Sequence, residues 1–324
     1  MKRILLVVIL IIIVSVVGFW VFRQNDGVSQ GVVQQSPKQV RMVGDEQTIS
    51  TNPLAIENLR KRNYEGSQVT IKETLSINAS YTAYRVSYFS DGLKIFAAMN
   101  VPAGKAPFPV IVLNHGYFNQ STFKTGDGTR TMADILADSG YLTVASDYRC
   151  HGESDCDGVS RGHRAEYSAD VMNLISSVKN IKQADPERIG IWGHSMGGEV
   201  TLKVLEINDQ VKAAVLWAPT IDGVGRSGSR WGRRRETEST DTQSFSETSS
   251  MNYLSYITAP IQLHHGTADT EVPYNWSVEL DKKLKEANKE VEFFTYEGQD
   301  HNFKNLGWGK ISPRTVVFFD DFLK

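Results

Sequence analysis

Apolar positions fall into three patterns along the chain. The first is a run from Ile4 to Phe22, broken only by Ser15 and Gly18 and preceded by Met1-Lys2-Arg3. As a helix it spans about 28 Å, close to the thickness of a bilayer core. A helix buried in a protein core would keep a polar face, and this run has none. Lys2 and Arg3 favour a cytoplasmic N-terminus, with the rest of the chain outside. Val16-Val17-Gly18 is a poor match to a small-residue cleavage site, and the run is long for a signal-peptide core. Residues 1–22 therefore predict a single-pass signal anchor that puts residues 4–22 in a lipid bilayer; the alternative is a secreted protein released by signal cleavage. Residues 23–50 are polar and have no sustained period, which predicts a flexible tether.

The second pattern begins at Asn52-Pro53, a helix-start signal for a short helix from Leu54 to Arg62. Three β-type runs follow, Val69 to Leu75, Tyr81 to Phe89 and Lys94 to Val101. Asp91-Gly92 between the last two signals a hairpin. The third pattern starts at Val110 and alternates apolar strands with helices. Strands are expected at Val110 to Leu113, Tyr141 to Ser146, Arg188 to Trp192, Val211 to Trp217, Ile261 to His264 and Val291 to Tyr296. Helices are expected at Thr131 to Ser139, Ala165 to Lys182, Gly197 to Leu205, Trp276 to Ala287 and Thr315 to Leu323. Strands apolar throughout, alternating with helices, predict an α/β domain over residues 51–324. Its sheet is mostly parallel and covered on both faces. Residues 222–250 break the alternation with a Ser-, Thr-, Gly-, Arg- and Glu-rich stretch around Arg233-Arg234-Arg235. It reads either as a cap over a site or as a solvated insertion.

Composition narrows the function classes. The chain has 324 residues, 40% of them hydrophobic, with a formal net charge of −2. That balance gives no electrostatic argument for nucleic acid. No glycine-rich phosphate loop is present. Cys150 and Cys156 are the two cysteines. Their spacing is not that of a zinc site; they are either two thiols or, in an exported protein, a small disulfide loop. His151, Asp155, Asp157 and His163 lack a recognised metal-ligand spacing, so no metal is expected.

The chemistry centres on Gly193-His194-Ser195-Met196-Gly197-Gly198, between an expected strand and an expected helix. Gly-x-Ser-x-Gly in that context is a nucleophile elbow. Side chains at Gly193 and Gly197 would collide with backbone, and the strained turn exposes the Ser195 hydroxyl. Serine needs a base and an orienting acid. Asp269 follows the strand ending at His264 and is the preferred acid, with Glu271 and Asp222 as competitors. His301 is the one histidine C-terminal to Asp269 and becomes the base. His264 and His265 read as structural residues at a strand end. The oxyanion donors are the N–H of Met196 and, after the first long parallel strand, the N–H of Tyr117. Gly116 permits close backbone approach there. Asp147 and Arg149 read as a pair in a supporting loop.

Five stretches taken together resemble the catalytic domain of prolyl-oligopeptidase-type serine peptidases, within the α/β-hydrolase superfamily. They are Asn114-His115-Gly116-Tyr117, Asp147 through Ser154, Gly193 through Gly198, His265 through Asp269 with Val272-Pro273, and Asp300-His301-Asn302-Phe303. The resemblance covers about Val69 to Lys324. It implies an α/β-hydrolase fold with an eight-stranded-type sheet, a Ser195–Asp269–His301 triad and no cofactor. Two departures stand out: too few residues separate the anchor from the sheet to hold the family's β-propeller, and the acidic pair that grips a substrate amine in the exopeptidase branch has no counterpart. The family's Arg-Gly-His-Gly reads Arg149-Cys150-His151-Gly152 here, consistent with a local disulfide. Related stand-alone domains include carboxylesterases. The expectation is a serine peptidase acting on peptide or amide bonds, with a carboxylesterase on ester substrates as the alternative. A catalytically inactive binding module is the remaining reading.

Overall fold

The computed structural model describes residues 50–158, 164–221, 246–304 and 307–324. The expected anchor (1–22), nearly all of the tether and residues 222–245 of the polar stretch lie outside them. Among the described residues no helix is long and apolar enough to cross a membrane.

The framework is a nine-stranded sheet in the order β1-β2-β3-β5-β4-β6-β7-β8-β9. β1 (Thr70–Ile77), β2 (Tyr81–Ser90) and β3 (Leu93–Pro102) form an antiparallel meander. Asp91 and Gly92 make the two-residue turn between β2 and β3, both at positive φ (54° and 81°). This is the backbone that a type I′ hairpin requires. β3 runs antiparallel to β5 (Leu142–Ser146). β5, β4 (Phe108–Asn114), β6 (Ala184–His194), β7 (Val211–Trp217), β8 (Ile261–Gly266) and β9 (Val291–Tyr296) are mutually parallel. The sheet has one strand more than the eight-stranded type expected. The surplus lies at the antiparallel end, where β1 is exposed along its whole length.

Every residue of β4, β5 and β8 is buried. That explains their continuous apolar runs, because both faces are covered by helices. One face packs α1 (Ile56–Lys61), α3 (Arg164–Val178), α4 (Met196–Ile207) and α5 (Tyr274–Glu286) in a core with Val112, Val144, Ile191 and Leu263. The other packs α2 (Arg130–Asp138) and α6 (Trp308–Leu323) around Ile111, Leu113, Trp192 and Trp217. α6 starts earlier than the sequence implied and includes Pro313. Trp308 draws its start inward: its Nε1–H donates to the Asn302 carbonyl (3.0 Å), and its ring packs edge-on to Trp217.

The chain crosses from β4 to β5 on one side and then to β6 on the other side of β4. Strand order therefore reverses at β4, and the C-terminal ends of β4 and β6 open a crevice there. Ligands of open α/β sheets bind at such switch points.

Candidate active site

The turn between β6 and α4 places Ser195 in this crevice. Ser195 has φ 57° and ψ −122°, a conformation that a side-chain-bearing residue rarely adopts. The strain is held by hydrogen bonds on both sides. Ser195 N–H donates to the Trp217 carbonyl (2.9 Å), and its own carbonyl accepts from Gly198 (2.9 Å) and Thr220 (3.0 Å). A Cβ at Gly193 would lie 2.4 Å from the Gly197 carbonyl oxygen, and one at Gly197 would lie 2.0 Å from that of Asn114. Only glycine fits either place, so β4, β6 and α4 close to backbone contact around the serine. Met196 opens α4, where first-turn amides have no partner within the helix and favour negative charge.

The loop after β4 meets the serine from the other side. A Cβ at Gly116 would stand 3.3 Å from the Ser195 Cβ and 3.7 Å from its Oγ. Tyr117 follows directly, with its side chain exposed. His115 is fully buried and anchors this loop. Its Nδ1–H donates to the Gly116 carbonyl (2.7 Å), and its ring lies among Phe118, Phe123, Tyr148 and His151. Burial, and then the neighbouring His151, hold His115 down at about 3, so it stays a neutral ring.

Asp269 and His301 come together from the loops after β8 and β9. Thr267 N–H donates to the Tyr296 carbonyl (3.0 Å), Ala268 N–H to that of Gln299 (3.0 Å), and Gly298 N–H to Thr267 Oγ1 (2.9 Å). Gly266 makes this approach possible, since a Cβ there would meet the Gln299 carbonyl oxygen at 2.2 Å. His301 Nδ1–H then donates to Asp269 Oδ2 at 2.7 Å. The Asp269 side chain is fully buried. Its Oδ1 accepts from the N–H groups of Glu271 (2.8 Å) and Val272 (2.9 Å), and its Oδ2 also accepts from His265 Nε2–H (3.0 Å). Burial works against the charge, but donation from His265 and His301 and the Val272 amide outweigh it. They hold the carboxyl well below the usual carboxylate range. Glu271, the competing acid, is exposed and lends only its amide to this arrangement; Asp222 lies outside the described residues.

His194 joins His301 to the turn that carries Ser195. Its Nε2–H donates to the His301 carbonyl (2.9 Å), and the two rings pack with centroids 4.7 Å apart. Burial, and then His301, lower His194 to about 4. His301 is itself buried, in a turn where the Asp300 carboxylate accepts from the Asn302 and Lys304 amides and Phe303 inserts between Trp217 and Tyr296.

One sequence reading fails here. Asp147 and Arg149 do not pair. Tyr148 between them has φ 58° and Cys150 has φ 64°, so the chain reverses and the side chains part. Arg149 binds Asp170 on α3 through its N–H, Nε and Nη2, and also meets Asp91 and Asp157. Asp147 instead accepts from the Thr125 hydroxyl (2.6 Å). His265 sits near the end of β8 as expected and in addition bonds Asp269, four residues on, a contact the sequence reading did not include. His264 is a core residue, bonded to Gln262 and Tyr296 and stacked on Phe294.

Cys150 and Cys156 form a disulfide with Cα atoms 4.5 Å apart. Among the described residues, the His, Cys, Asp or Glu group compact enough to share an ion is Cys150, Cys156 and Asp157, and its sulfurs are joined to each other. His163 lies outside the described residues.

Residues 128–323 match the model of the prolyl oligopeptidase family. A Bacillus subtilis protein described as the uncharacterized peptidase YtmA is 26% identical over 231 residues, covering 68% of this chain and 86% of that one. Among solved structures, the acylaminoacyl peptidase of Pyrococcus horikoshii superposes with a TM-score of 0.67 at 23% identity, over 76% of this chain and 42% of that one. Acetyl xylan esterase 1 of a Thermoanaerobacterium species superposes with a TM-score of 0.64 at 16% identity, over 82% and 90%. At those identities the two structures speak for the fold. The chain spans less than half the length of several curated relatives it matches, 44% of one and 35% of another. The family model runs from the loop before α2 into the last residues of α6 and spans Ser195, Asp269 and His301; the chain belongs to the prolyl oligopeptidase family and is a serine hydrolase of the α/β-hydrolase fold.

Proposed function

We propose that the chain is a membrane-anchored serine peptidase that cleaves peptide or amide bonds through an acyl-enzyme, using Ser195, Asp269 and His301. The observation that carries this reading is the 2.7 Å bond from His301 Nδ1–H to the buried Asp269 carboxylate, in a turn tied through His194 to the strained serine. With Nδ1 engaged, the remaining ring nitrogen of neutral His301 is the basic one. It takes the Ser195 Oγ proton as the oxygen attacks the scissile carbonyl. The resulting imidazolium is stabilised by Asp269 and returns the proton to the leaving amine. The N–H groups of Met196 and Tyr117 take the oxyanion, each contributing about 3–4 kcal/mol to the transition state. Similarity to a peptidase along most of that relative's length supports amide substrates.

A second reading, a carboxylesterase, is favoured by one observation. The described domain covers 90% of the acetyl xylan esterase but only 42% of the acylaminoacyl peptidase. The same groups serve both reactions, because an alkoxide leaves more easily than an amine. The test compares a short-acyl nitrophenyl ester with a panel of aminoacyl and peptidyl nitroanilides, using wild type and Ser195→Ala. Amide turnover lost in Ser195→Ala supports the peptidase; ester turnover without amide turnover moves the assignment to the esterase. Turnover that survives Ser195→Ala contradicts both.

The anchor and location belong to the same proposal: residues 4–22 in the bilayer, the N-terminus in the cytoplasm and the catalytic domain outside. A disulfide between Cys150 and Cys156 suits an oxidising compartment. Membrane fractionation of the full chain against a chain starting at Gly44 tests it. Equal recovery of both in the soluble fraction contradicts the anchor.

A further inference from the structure

The described site holds a fourth side chain that the triad scheme does not use. His265 is the fifth residue of β8 and is completely buried. Its Nε2 faces two acceptors, Asp269 Oδ2 at 3.0 Å and the Val272 carbonyl at 3.1 Å, so that nitrogen carries the proton. Its Nδ1 meets the Ser277 hydroxyl on α5 at 2.6 Å. The ring is thus fixed at both ends, between the strand that carries the acid and the helix behind it. Asp269 Oδ2, the oxygen that receives His301 Nδ1–H, is shared with this second imidazole.

We propose that His265 is a positioning residue for the reaction: its Nε2–H holds the Asp269 carboxylate in the plane and rotamer that His301 needs, and restrains how strongly that carboxylate attracts the His301 proton. This rests on the proposed Ser195, Asp269 and His301 assignment and deepens it.

The chemistry follows from counting donors. Asp269 accepts four hydrogen bonds among the described residues: from the Glu271 and Val272 amides on Oδ1, and from His301 and His265 on Oδ2. The amides fix one oxygen to the turn. Only His265 competes with His301 for the other. Removing it leaves an oxygen with one donor in a buried site. Such an oxygen binds a protonated His301 more tightly and is also less well held in place. The base then keeps its proton to higher pH and meets Ser195 less often in the reactive geometry. The other titratable groups packed here are His194, its ring tilted against that of His301, Tyr274, edge-on to His265, and Asp300 in the His301 turn. None of them donates to Asp269 Oδ2 in the described structure.

The test is the pH profile of kcat/KM on the best substrate of the nitrophenyl ester and nitroanilide panel, for wild type, His265→Leu and His265→Gln. Glutamine can return an N–H near the place of Nε2; leucine cannot. A hydrogen bond to a charged group has a net worth that corresponds to roughly ten- to hundredfold in rate. His265→Leu is expected to lose about that factor in kcat and to move the acid limb of the profile up by at least half a pH unit. His265→Gln is expected to recover most of the rate and return the acid limb toward wild type. A purely structural role predicts rate loss with the acid limb unmoved, and that result overturns the inference. So does a glutamine variant that behaves like leucine while retaining the wild-type near-UV circular dichroism. If His265→Leu fails to fold, His265→Asn, whose amide is too short to reach the place of Nε2, stands in for it: an acid limb raised in the asparagine variant and restored in the glutamine variant supports the inference, and an acid limb unmoved in the asparagine variant overturns it. Ser195→Ala run alongside separates the two levels. Turnover that persists there overturns the triad and this inference together; turnover abolished there with an unmoved acid limb in the His265 variants overturns this inference alone.

Discussion

Two buried carboxylates follow the C-terminal ends of parallel strands, and they have opposite fates. Asp147 comes directly after β5, and Asp269 comes just after β8. Both side chains are shut off from solvent. Asp269 has four donors, two imidazoles and two amides, and they hold it ionised against its burial. Asp147 has the Thr125 hydroxyl on one oxygen, while its Oδ1 has no hydrogen-bond partner among the described residues. Burial dominates there and pushes it up to about 7, with Thr125 and Gly126 pulling weakly the other way. Burial alone therefore does not decide the charge of a carboxylate at this sheet edge; the supply of N–H donors does. The donors around Asp269 come from β8, the tight turn after it and the loop after β9, and they keep that carboxylate charged where Asp147 is not.

The largest effect expected from this contrast is catalytic. Asp269→Asn offers His301 an amide in place of an anion and permits the wrong tautomer, so kcat should fall by roughly 10³–10⁴. Asp147→Asn should stay within about twofold of wild type. Steady-state rates on the preferred substrate measure both, and a comparable loss in the two variants would erase the distinction.

Next in size is a pH effect on stability. Folded Asp147 keeps its proton to about pH 7, whereas the unfolded chain releases it near 3.8. Between those values the folded state binds more protons, so this group's contribution to stability falls as pH rises and is fully lost above about 7. Asp269 has the opposite sign: its contribution is complete above the ordinary carboxylate range and drains away as pH falls below it. Urea unfolding of Asp147→Asn against wild type should show the variant gaining relative stability from pH 4 to pH 8, by up to about 4 kcal/mol. A pH-independent difference would contradict the assignment.

Two smaller effects sharpen the contrast between the loops. The Cys150–Cys156 disulfide closes a short loop beside Asp147. Replacing both cysteines with serine should cost about 2 kcal/mol of stability by thermal melting, with little change in kcat. On the other side, Trp308→Phe removes the N–H that holds the Asn302 carbonyl next to His301. It should cost about 1 kcal/mol and lower kcat more than it raises KM, as steady-state kinetics would record.

Much of this was legible in the sequence because it depends on local pattern. Alternating apolar strands and helices gave the layered sheet, and the glycines flanking Ser195 marked the elbow without any long-range information. The hairpin at Asp91-Gly92 was readable for the same reason. Long-range geometry was not. The Asp147 and Arg149 pairing looked sound from spacing, but the positive φ at Tyr148 turns the two side chains apart, and Arg149 finds Asp170 on another element. His265 looked like one more strand residue because its bond to Asp269 exists only once the turn after β8 is folded back against the loop after β9. The early start of α6 depends likewise on Trp308 reaching Trp217 and Asn302 across the fold.

The most direct test of the central assignment is the rate of covalent labelling by a fluorophosphonate probe, with the modified residue located by peptide mass mapping. The account predicts that wild type labels on Ser195, that Asp147→Asn labels at close to the same rate, and that Asp269→Asn labels slower by at least a hundredfold. Labelling at another residue, or Asp269→Asn labelling as fast as wild type, would contradict it.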